Sequence, residues 1–194
     1  MSLSTSRIIE AAIDLLNEEG ISGLTMRKLA ERLQVAAPSL YFHMKDKREL
    51  YGLITEYVCG LILKQIMPQD GLREICFIIR KEYRAINGLT RLFVLSPPVT
   101  KDRIALINLF FGKLCELGVA EEYLAVSGNL LNNYILSFVT DEEVWTARQD
   151  DEMNIPFKIG ISDMDRQFAF GLQVIIKGLE EFQKNFLKPS EADL

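Results

Sequence analysis

The sequence predicts an all-helical protein. Apolar residues recur at helical spacing along most of the chain, as in Ile8, Ala12, Leu15 and Leu16 of the first segment. Residues that cap or break helices divide the chain into pieces of helical length, and no segment alternates between apolar and polar residues as a half-buried strand would. With 194 residues, 48% of them hydrophobic, the chain can bury a sizeable core, so a folded state is expected.

Four helices are expected in the first third of the chain. Gly20 can end the first helix, and the Thr25 hydroxyl can cap the second. Pro38 suits the start of the third helix, because the N–H that it lacks would have no partner there. Asp46 and Glu49 have the spacing of a capping box, which starts the fourth helix. The expected bounds are Thr5–Glu19, Met26–Leu33, Ala37–His43 and Lys47–Ile66.

Pro68 and Gly71 close the fourth helix, and breaks at Gly88 and Pro97 divide the region beyond. Longer helices are expected there over Leu72–Ile86, Lys101–Leu117, Glu121–Arg148 and Asp163–Phe186. The irregular segment Gln149–Ile161 is long enough to be a functional loop, and a lid over a ligand is one interpretation. We expect an N-terminal helix-turn-helix domain over residues 1–46, a connecting helix over 47–66, and a helical C-terminal domain over 67–194.

Charge is distributed unevenly along the chain. The whole chain has a net charge of −5, yet residues 20–50 carry six basic and three acidic side chains. A positive N-terminal module on an acidic body would suit binding to phosphates at one end only. A solvated helical surface would carry the same charges, so this observation alone leaves both interpretations open.

Several kinds of site are not indicated by the sequence. Cys59, Cys76 and Cys115 lie far apart among apolar residues, so we interpret them as small buried side chains rather than as a disulfide or zinc site. No P-loop, dinucleotide-binding glycine motif or nucleophile elbow occurs, and His43 is the single histidine. We therefore expect no metal, no cofactor and no catalytic residues. No apolar run is long enough to span a bilayer and no secretory signal is present, which predicts a cytoplasmic protein without a membrane partner.

Two short helices joined by a three-residue turn form the geometry that places a helix in the major groove of DNA. Ala30 would be the small residue where these helices cross, and Leu29, Leu33, Val35 and Leu40 would form the internal core. The residues run Gly23-Leu24-Thr25-Met26-Arg27-Lys28-Leu29-Ala30-Glu31-Arg32-Leu33, then Val35, Pro38-Ser39-Leu40-Tyr41-Phe42-His43 and Lys45-Asp46-Lys47-Arg48-Glu49-Leu50. This run resembles the DNA-binding domain of the TetR family.

The resemblance implies that residues at the start of the second helix and around the third contact DNA. Arg27 can donate two hydrogen bonds to guanine, whereas Lys47 is better placed for phosphate. Tyr41 and Phe42 cannot both face inward on so short a helix, so at least one should be exposed, while His43 has a structural interpretation as well. The expected DNA-contacting residues are Thr25, Met26, Arg27, Ala37, Pro38, Ser39, Tyr41, Phe42, His43, Lys45 and Lys47.

Two residues depart from the family pattern. Gln34 lies in the turn where the family often has glycine, so we expect a non-glycine residue with positive φ at this position. Ala37 stands where the tetracycline-repressor branch carries a polar residue that reads bases. This chain therefore cannot read its operator with the same hydrogen bonds, although an alanine can contact a thymine methyl group.

The last predicted helix carries apolar residues at intervals that alternate between four and three, which fits either an intramolecular core or a dimer seam. These residues are Phe168, Leu172, Ile175, Leu179, Phe182 and Phe186. This region is similar to the tetracycline-repressor branch in Ile135-Leu136-Ser137-Phe138-Val139, before Asp141-Glu142-Glu143, and in Phe168-Ala169-Phe170-Gly171-Leu172, before Gly178-Leu179-Glu180. The similarity implies a four-helix dimer interface. We therefore expect a homodimer with Leu124, Gly128, Leu131, Ile135 and Phe138 as the partner stripe.

The resemblance also implies a small-molecule effector in the C-terminal domain. Polar residues inside its apolar helices would need partners if buried, which is typical of a ligand pocket, although some of them must face solvent. The expected effector-contacting residues are Tyr83, Arg84, Phe110, Phe111, Asn129, Asn133 and Tyr134. Magnesium–tetracycline is not expected as the effector, because the family member that binds it uses histidine in this domain and this chain has none there.

The sequence thus predicts a homodimeric transcriptional regulator that binds a near-palindromic DNA operator. We expect a repressor whose operator affinity is changed by a small molecule. The alternative is a helical small-molecule-binding protein or enzyme without operator binding. That alternative leaves the set Arg27, Tyr41 and Lys47 without an explanation.

Overall fold

Helices account for all regular structure in the described part of the chain, which comprises residues 3–147 and 163–186 of the computed structural model. The helices are α1 (Thr5–Gly23), α2 (Met26–Leu33), α3 (Ala37–Leu40), α4 (Lys47–Gln65), α5 (Leu72–Arg84), α6 (Leu89–Leu95), α7 (Lys101–Glu116), α8 (Glu121–Ala147) and α9 (Met164–Phe186). The predicted all-helical fold is confirmed. None of these helices is long and apolar enough to cross a membrane.

Side-chain caps start α2 and α4 where the sequence predicts them. The Thr25 hydroxyl accepts a hydrogen bond from the Lys28 N–H at 3.2 Å, and Asp46 accepts one from the Glu49 N–H at 2.8 Å. The Glu49 carboxylate reaches past Asp46 and accepts from the Lys45 N–H at 2.6 Å, so the capping box closes one residue further back than usual. These bonds satisfy N–H groups that would otherwise lack a partner.

Three helices differ clearly from the prediction, whereas the described ends of the others lie within two residues of it. Gly20 breaks α1 with a φ of 67°, as expected of a terminal glycine, but a helical turn resumes and α1 ends at Gly23. The third helix ends at Leu40, and the residues expected to extend it to His43 form a turn. Helix α6 was not predicted, because its N-cap is Gly88 and no side chain caps it. The segment Gln149–Ile161, with its interpretation as a lid, lies outside the described residues.

The chain divides into two compact units by packing. The first contains the chain up to Met67 together with Ile78–Leu106, and in it α1 packs on α2 and α4, while α4 packs on α6. Its largest fully buried side chains include Ile8, Leu16, Leu29, Leu40, Leu50, Ile54, Ile62, Leu89 and Leu92. The second contains Pro68–Phe77 and the described residues from Ile107 onward, with α8 packed on α9. The division by function into residues 1–46, 47–66 and 67–194 is a separate matter and stays a prediction.

An aromatic cluster forms the centre of the second unit. The fully buried Phe168 ring lies 5.1 Å from Phe77, 5.4 Å from Tyr134 and 5.2 Å from Phe138 between ring centres. The Tyr134 hydroxyl donates to the Phe168 carbonyl oxygen at 2.9 Å. A Cβ atom at Gly171 would collide with the Tyr134 ring, so this glycine is required for the close approach of α8 and α9 within one chain.

Part of the apolar seam expected at the dimer interface belongs instead to the core of the second unit. Phe168 and Leu172 of α9, like Leu131 and Ile135 of α8, are buried without any partner chain. For these four residues the prediction was wrong, because a repeat of 3.5 residues has the same spacing whether the facing helix belongs to the same chain or to another. Ile175 and Leu179 are half-buried, and their place in a dimer interface stays a prediction. The side chains of Phe182 and Phe186 lie outside the described part.

A second apolar face on α8 and α9 points away from this core. It carries exposed large apolar residues in α8, and in α9 Phe170 is 73% and Val174 55% exposed. The α8 members are Val126, Leu130 and Val144. Each helix thus has a buried and an exposed apolar stripe. Cys115, expected to be buried, is also exposed, whereas Cys59 and Cys76 are buried as predicted.

Candidate nucleic-acid interface

The turn between α2 and α3 has a left-handed residue at its centre. Gln34 has φ 56° and ψ 42°, and its N–H donates to the carbonyl oxygen of Glu31 at 3.1 Å. The next residue, Val35, donates to the Ala30 carbonyl oxygen at 3.0 Å. The expected positive φ at Gln34 is confirmed, and it directs the chain sharply from α2 into α3.

Buried side chains hold the two helices together from inside. Leu29, Ala30, Leu33 and Leu40 are all buried, as expected for the helix crossing. Val35, predicted to belong to this core, is only half-buried. The turn after α3 is anchored by Met44, which is 2% exposed.

The outer surface of α3 and its following turn is aromatic. Tyr41 is 53% exposed and Phe42 is 91% exposed, so both adjacent rings lie on the surface, where at least one was expected. His43 is half-buried, and its N–H donates to the Leu40 carbonyl oxygen at 2.9 Å. Large exposed apolar side chains are uncommon without a binding role, so this surface is a candidate contact.

Two of the basic residues in α2 form ion pairs with acidic residues of α1. Lys28 pairs with Glu19, and Arg32 pairs with Glu18 and, at 3.7 Å, with Asp14. The hydrogen bond from Arg32 holds the pKa of Glu18 below its ordinary value. These pairs attach α2 to α1 and neutralise part of the local positive charge.

The remaining basic residues lie on the outside of the helix-turn-helix. Arg27 is largely exposed and has only a loose pair with Glu31 at 3.6 Å. Lys45 is exposed. Lys47 is half-buried, and its ammonium lies 5.6 Å from the centre of the Tyr51 ring at the start of α4. Arg48, to which the sequence analysis gave no role, is exposed as well. Because Arg48 directly follows Lys47, its position could have placed it among the predicted DNA-contacting residues.

The other predicted contact residues have mixed exposure. Thr25, Met26, Ala37 and Ser39 are half-buried, whereas Pro38 is exposed. The Thr25 oxygen already caps α2, but its O–H can still donate to a phosphate. All of the predicted set thus reaches the surface at least in part, and their contacts with DNA stay a prediction.

Residues 8–54 match the family model described as bacterial regulatory proteins, tetR family. Tetracycline repressor protein class D from Escherichia coli is 54% identical over an alignment of 197 positions, which covers 92% of this chain and 89% of that repressor. The chain belongs to the TetR family. It is a DNA-binding transcriptional regulator with the family's helix-turn-helix at its N-terminus.

Other members show the same relationship. A helix-turn-helix transcriptional regulator from Saccharopolyspora erythraea is 28% identical to this TetR-family chain over 154 residues, or 77% of the chain, and the chain spans 64% of that regulator's length. Apo ActR from Streptomyces coelicolor superposes with a TM-score of 0.79 at 25% identity, covering 95% of this chain and 98% of ActR. ActR has also been solved in complex with actinorhodin.

The residues predicted to contact an effector in this TetR-family regulator differ in exposure. In the first unit, Tyr83 is buried, and its ring centre lies 4.5 Å from that of Phe93. Burial raises the pKa of the Tyr83 hydroxyl. Arg84 is exposed.

The second unit holds the other five effector candidates. Phe110 is buried, and a Cβ on Gly128 of α8 would lie 2.8 Å from the ring of half-buried Phe111. Tyr134 uses its hydroxyl within the core. Asn129 and Asn133 are exposed, so neither is the buried polar residue that the sequence suggested. The effector set as a whole stays a prediction.

A hydrogen-bonded connection that the sequence analysis missed joins α4, α6 and α7 in the first unit. The Glu56 carboxylate on α4 accepts from the N–H groups of Asp102, at 2.9 Å, and Arg103, at 3.2 Å, in the first turn of α7. Arg103 in turn donates to the carbonyl oxygens of Ser96 and Phe93, at 3.0 and 2.8 Å, at the end of α6. We call these contacts the α4–α7 tether.

The environment of Glu56 favours its charged form. Partial burial acts to raise the pKa of Glu56, but the hydrogen bonds from the start of α7, including those of Asp102 and Arg103, outweigh it. The pKa of Glu56 is therefore held below its ordinary value. A carboxylate at the N-terminus of a helix is also stabilised by the helix dipole.

Proposed function

We propose that this regulator is a homodimeric repressor that binds a near-palindromic operator through α2 and α3. The observation that carries the proposal is the outer surface of the helix-turn-helix, where Arg27, Tyr41 and Phe42 are exposed while Lys28 and Arg32 are paired with α1. Arg27 has the geometry to donate two hydrogen bonds to guanine, and Lys45 and Lys47 have the charge for phosphate. A two-fold symmetric protein requires a matching symmetry in its site.

The exposed stripes of α8 and α9 supply a surface for the dimer. Val126 and Leu130 are one helical turn apart on α8, and Phe170 and Val174 have the same spacing on α9. Two helices from each chain would form a four-helix interface that buries these residues. The buried stripes of the same helices would remain the core of each subunit.

We propose that a small molecule in the C-terminal domain changes the operator affinity. ActR, which has this fold, has been solved with actinorhodin, and α7 of this chain carries the aromatic residues Phe110 and Phe111. Movement at the start of α7 would pass through Glu56 to α4, which begins directly after the DNA-reading residues. A coupling of about 1–3 kcal/mol would change DNA affinity by roughly 5–150-fold.

Catalysis is not part of the proposal. The relatives are regulators, and no group of three histidine, cysteine, aspartate or glutamate residues in the described part could hold a metal ion. The alternative of a helical enzyme or carrier has no specific observation in its favour. A repressor that binds operator DNA would act in the cytoplasm.

Binding to the DNA that flanks its own gene tests the proposal directly. Fluorescence anisotropy with a labelled duplex should give specific binding, and Arg27→Ala should lose about 1–3 kcal/mol and relax discrimination at one base pair. Arg91→Ala removes the same charge from an exposed site on α6 and should bind like the wild type.

Salt dependence separates the phosphate contacts from the base contacts. Lys47→Ala should weaken binding to all DNA sequences alike and reduce the slope of log affinity against log salt concentration by about one unit. Lys64→Ala, at the far end of α4, should leave this slope unchanged. Failure of the wild-type protein to bind any duplex in preference to random DNA would refute the proposed function. A uniform loss in both Arg27→Ala and Lys47→Ala would refute only the division of roles.

A further inference from the structure

The exposed side chains of α3 are poor in hydrogen-bonding groups. Ala36 and Pro38 are exposed and Ala37 is half-buried, and none of them carries a polar side-chain atom. Ser39 and Tyr41 each offer a single hydroxyl. In the recognition segment from Ala36 to Phe42 there is no arginine, asparagine, glutamine or lysine. This segment therefore cannot form the two-bond contacts by which side chains usually distinguish guanine or adenine.

Small apolar residues can read a different feature of the major groove. The thymine C5-methyl group is the apolar group that the bases present there, and it marks both the identity and the orientation of a T·A pair. Alanine and proline side chains are short, so the backbone of α3 can approach the base edges more closely than a longer side chain would allow. A methyl group packed against them would lose its contact with water and gain the free energy of apolar burial.

We infer that this regulator reads the base pairs opposite the start of α3 through thymine methyl groups that pack against Ala36, Ala37 and Pro38. The inference rests on the proposed operator binding and adds the chemistry of recognition to it. Readout by two hydrogen bonds to one base then comes from outside α3, from Arg27 at the start of α2. Each half-site should combine a guanine contacted by Arg27 with adjacent thymines contacted by α3.

The first step of the test is a selection of bound duplexes from a random library by the full-length protein. The enriched half-site should contain thymines at fixed positions. Replacing one such thymine by deoxyuridine removes only the methyl group and keeps every hydrogen-bonding atom of the base. Burial of one methyl-sized group corresponds to about fourfold in affinity, so replacement in both half-sites should weaken binding by about 15-fold. Deoxyuridine outside the half-sites should have no effect.

A second substitution separates methyl contact from DNA shape. Changing the same T·A pair to C·G should weaken binding, and 5-methylcytosine at that position should restore about fourfold per half-site, because it returns a methyl group to the same place in the groove. If the preference came from the deformability of the DNA instead, affinity would not change with the presence of the methyl group in this way.

Protein variants complete the test as a double-mutant cycle. Ala37→Gly removes the protein's methyl group, so the deoxyuridine penalty at its thymine should shrink towards onefold, whatever the variant does to overall affinity. Ser39→Ala, on the same helix, should keep the full penalty. Unchanged affinity for deoxyuridine operators, half-sites without fixed thymines, or an undiminished penalty in Ala37→Gly would each overturn the inference while leaving operator binding intact. Absence of any enriched sequence would overturn both the inference and the proposed function.

Discussion

Removal of the Glu56 carboxylate is expected to loosen the start of α7. In the wild type this carboxylate accepts hydrogen bonds from two backbone N–H groups, those of Asp102 and Arg103, which otherwise have no partner within the helix. Loss of a helix-capping side chain costs about 0.5–2 kcal/mol, and hydrogen bonds to a charged group lie at the upper end of such values. We expect Glu56→Ala to lower the free energy of unfolding by about 1–2 kcal/mol. Glu56→Gln keeps one acceptor oxygen and should lose about half of that.

The effect of Glu56 on stability should depend on pH. Because the pKa of Glu56 is lower in the folded protein than its ordinary value, the carboxylate stabilises the folded state fully above the unfolded-state pKa of about 4.3. This contribution is lost as the pH falls through the folded-state pKa. The difference between wild type and Glu56→Gln should therefore be constant between about pH 7 and 5 and should shrink below about pH 4.

Urea unfolding at one protein concentration measures these differences, since the unfolding midpoint of a dimer depends on concentration. Glu31→Gln is the matched control, because it removes a carboxylate from an exposed pair with Arg27 and should cost at most about 0.5 kcal/mol. Hydrogen exchange should show faster exchange at the Asp102 and Arg103 amides in Glu56→Ala. The tether would be refuted if Glu56→Ala exchanged both amides at the wild-type rate and lost no more unfolding free energy than Glu31→Gln.

The glycines of α9 are expected to respond in opposite directions. Gly171→Ala should destabilise the protein by about 1–3 kcal/mol, because its Cβ would collide with the Tyr134 ring. Gly178→Ala, whose Cβ would have no atom within 4 Å, should stabilise it by up to about 1 kcal/mol in the same unfolding assay. Equal effects of the two substitutions would contradict the packing of α8 on α9. Phe170→Asp combined with Val174→Asp should yield monomers in analytical ultracentrifugation, and a persistent dimer would place the interface elsewhere. Magnesium and tetracycline together should leave the thermal midpoint unchanged, since the single histidine is His43 of the DNA-binding region, and a magnesium-dependent increase would contradict this expectation.

The helix-turn-helix could be predicted almost residue by residue because its signals are local. Thr25 caps α2, Gln34 ends it and Asp46 starts α4, and each of these acts on neighbours within four residues. The bounds Met26–Leu33 agree with the prediction for that reason. Helix α6 lacks such signals, since glycine precedes it and no side chain caps its first turn, so its seven residues could not be distinguished from a loop.

Features that depend on distant neighbours were not accessible from the sequence. Whether Phe168 packs within its own chain or against another is decided by where α8 lies, and spacing along α9 carries no information about that. The same applies to Asn129 and Asn133, which are polar residues in an apolar helix but lie on its exposed side. The contact between Glu56 and Asp102 joins residues that are 46 positions apart, and neither residue type predicts it.

The first compact unit consists of two separate stretches of sequence, which affects how it folds during synthesis. The helix-turn-helix leaves the ribosome early, but α6 and the start of α7, which complete the packing around α4, are synthesised only after Pro68–Phe77 of the other unit. Until α6 has emerged, the α6-facing side of α4 stays uncovered in the nascent chain. A fragment that stops at Met67 has the same uncovered surface permanently. A chimera that transplants this DNA-binding region to a different effector domain should therefore carry a helix equivalent to α6 along with it.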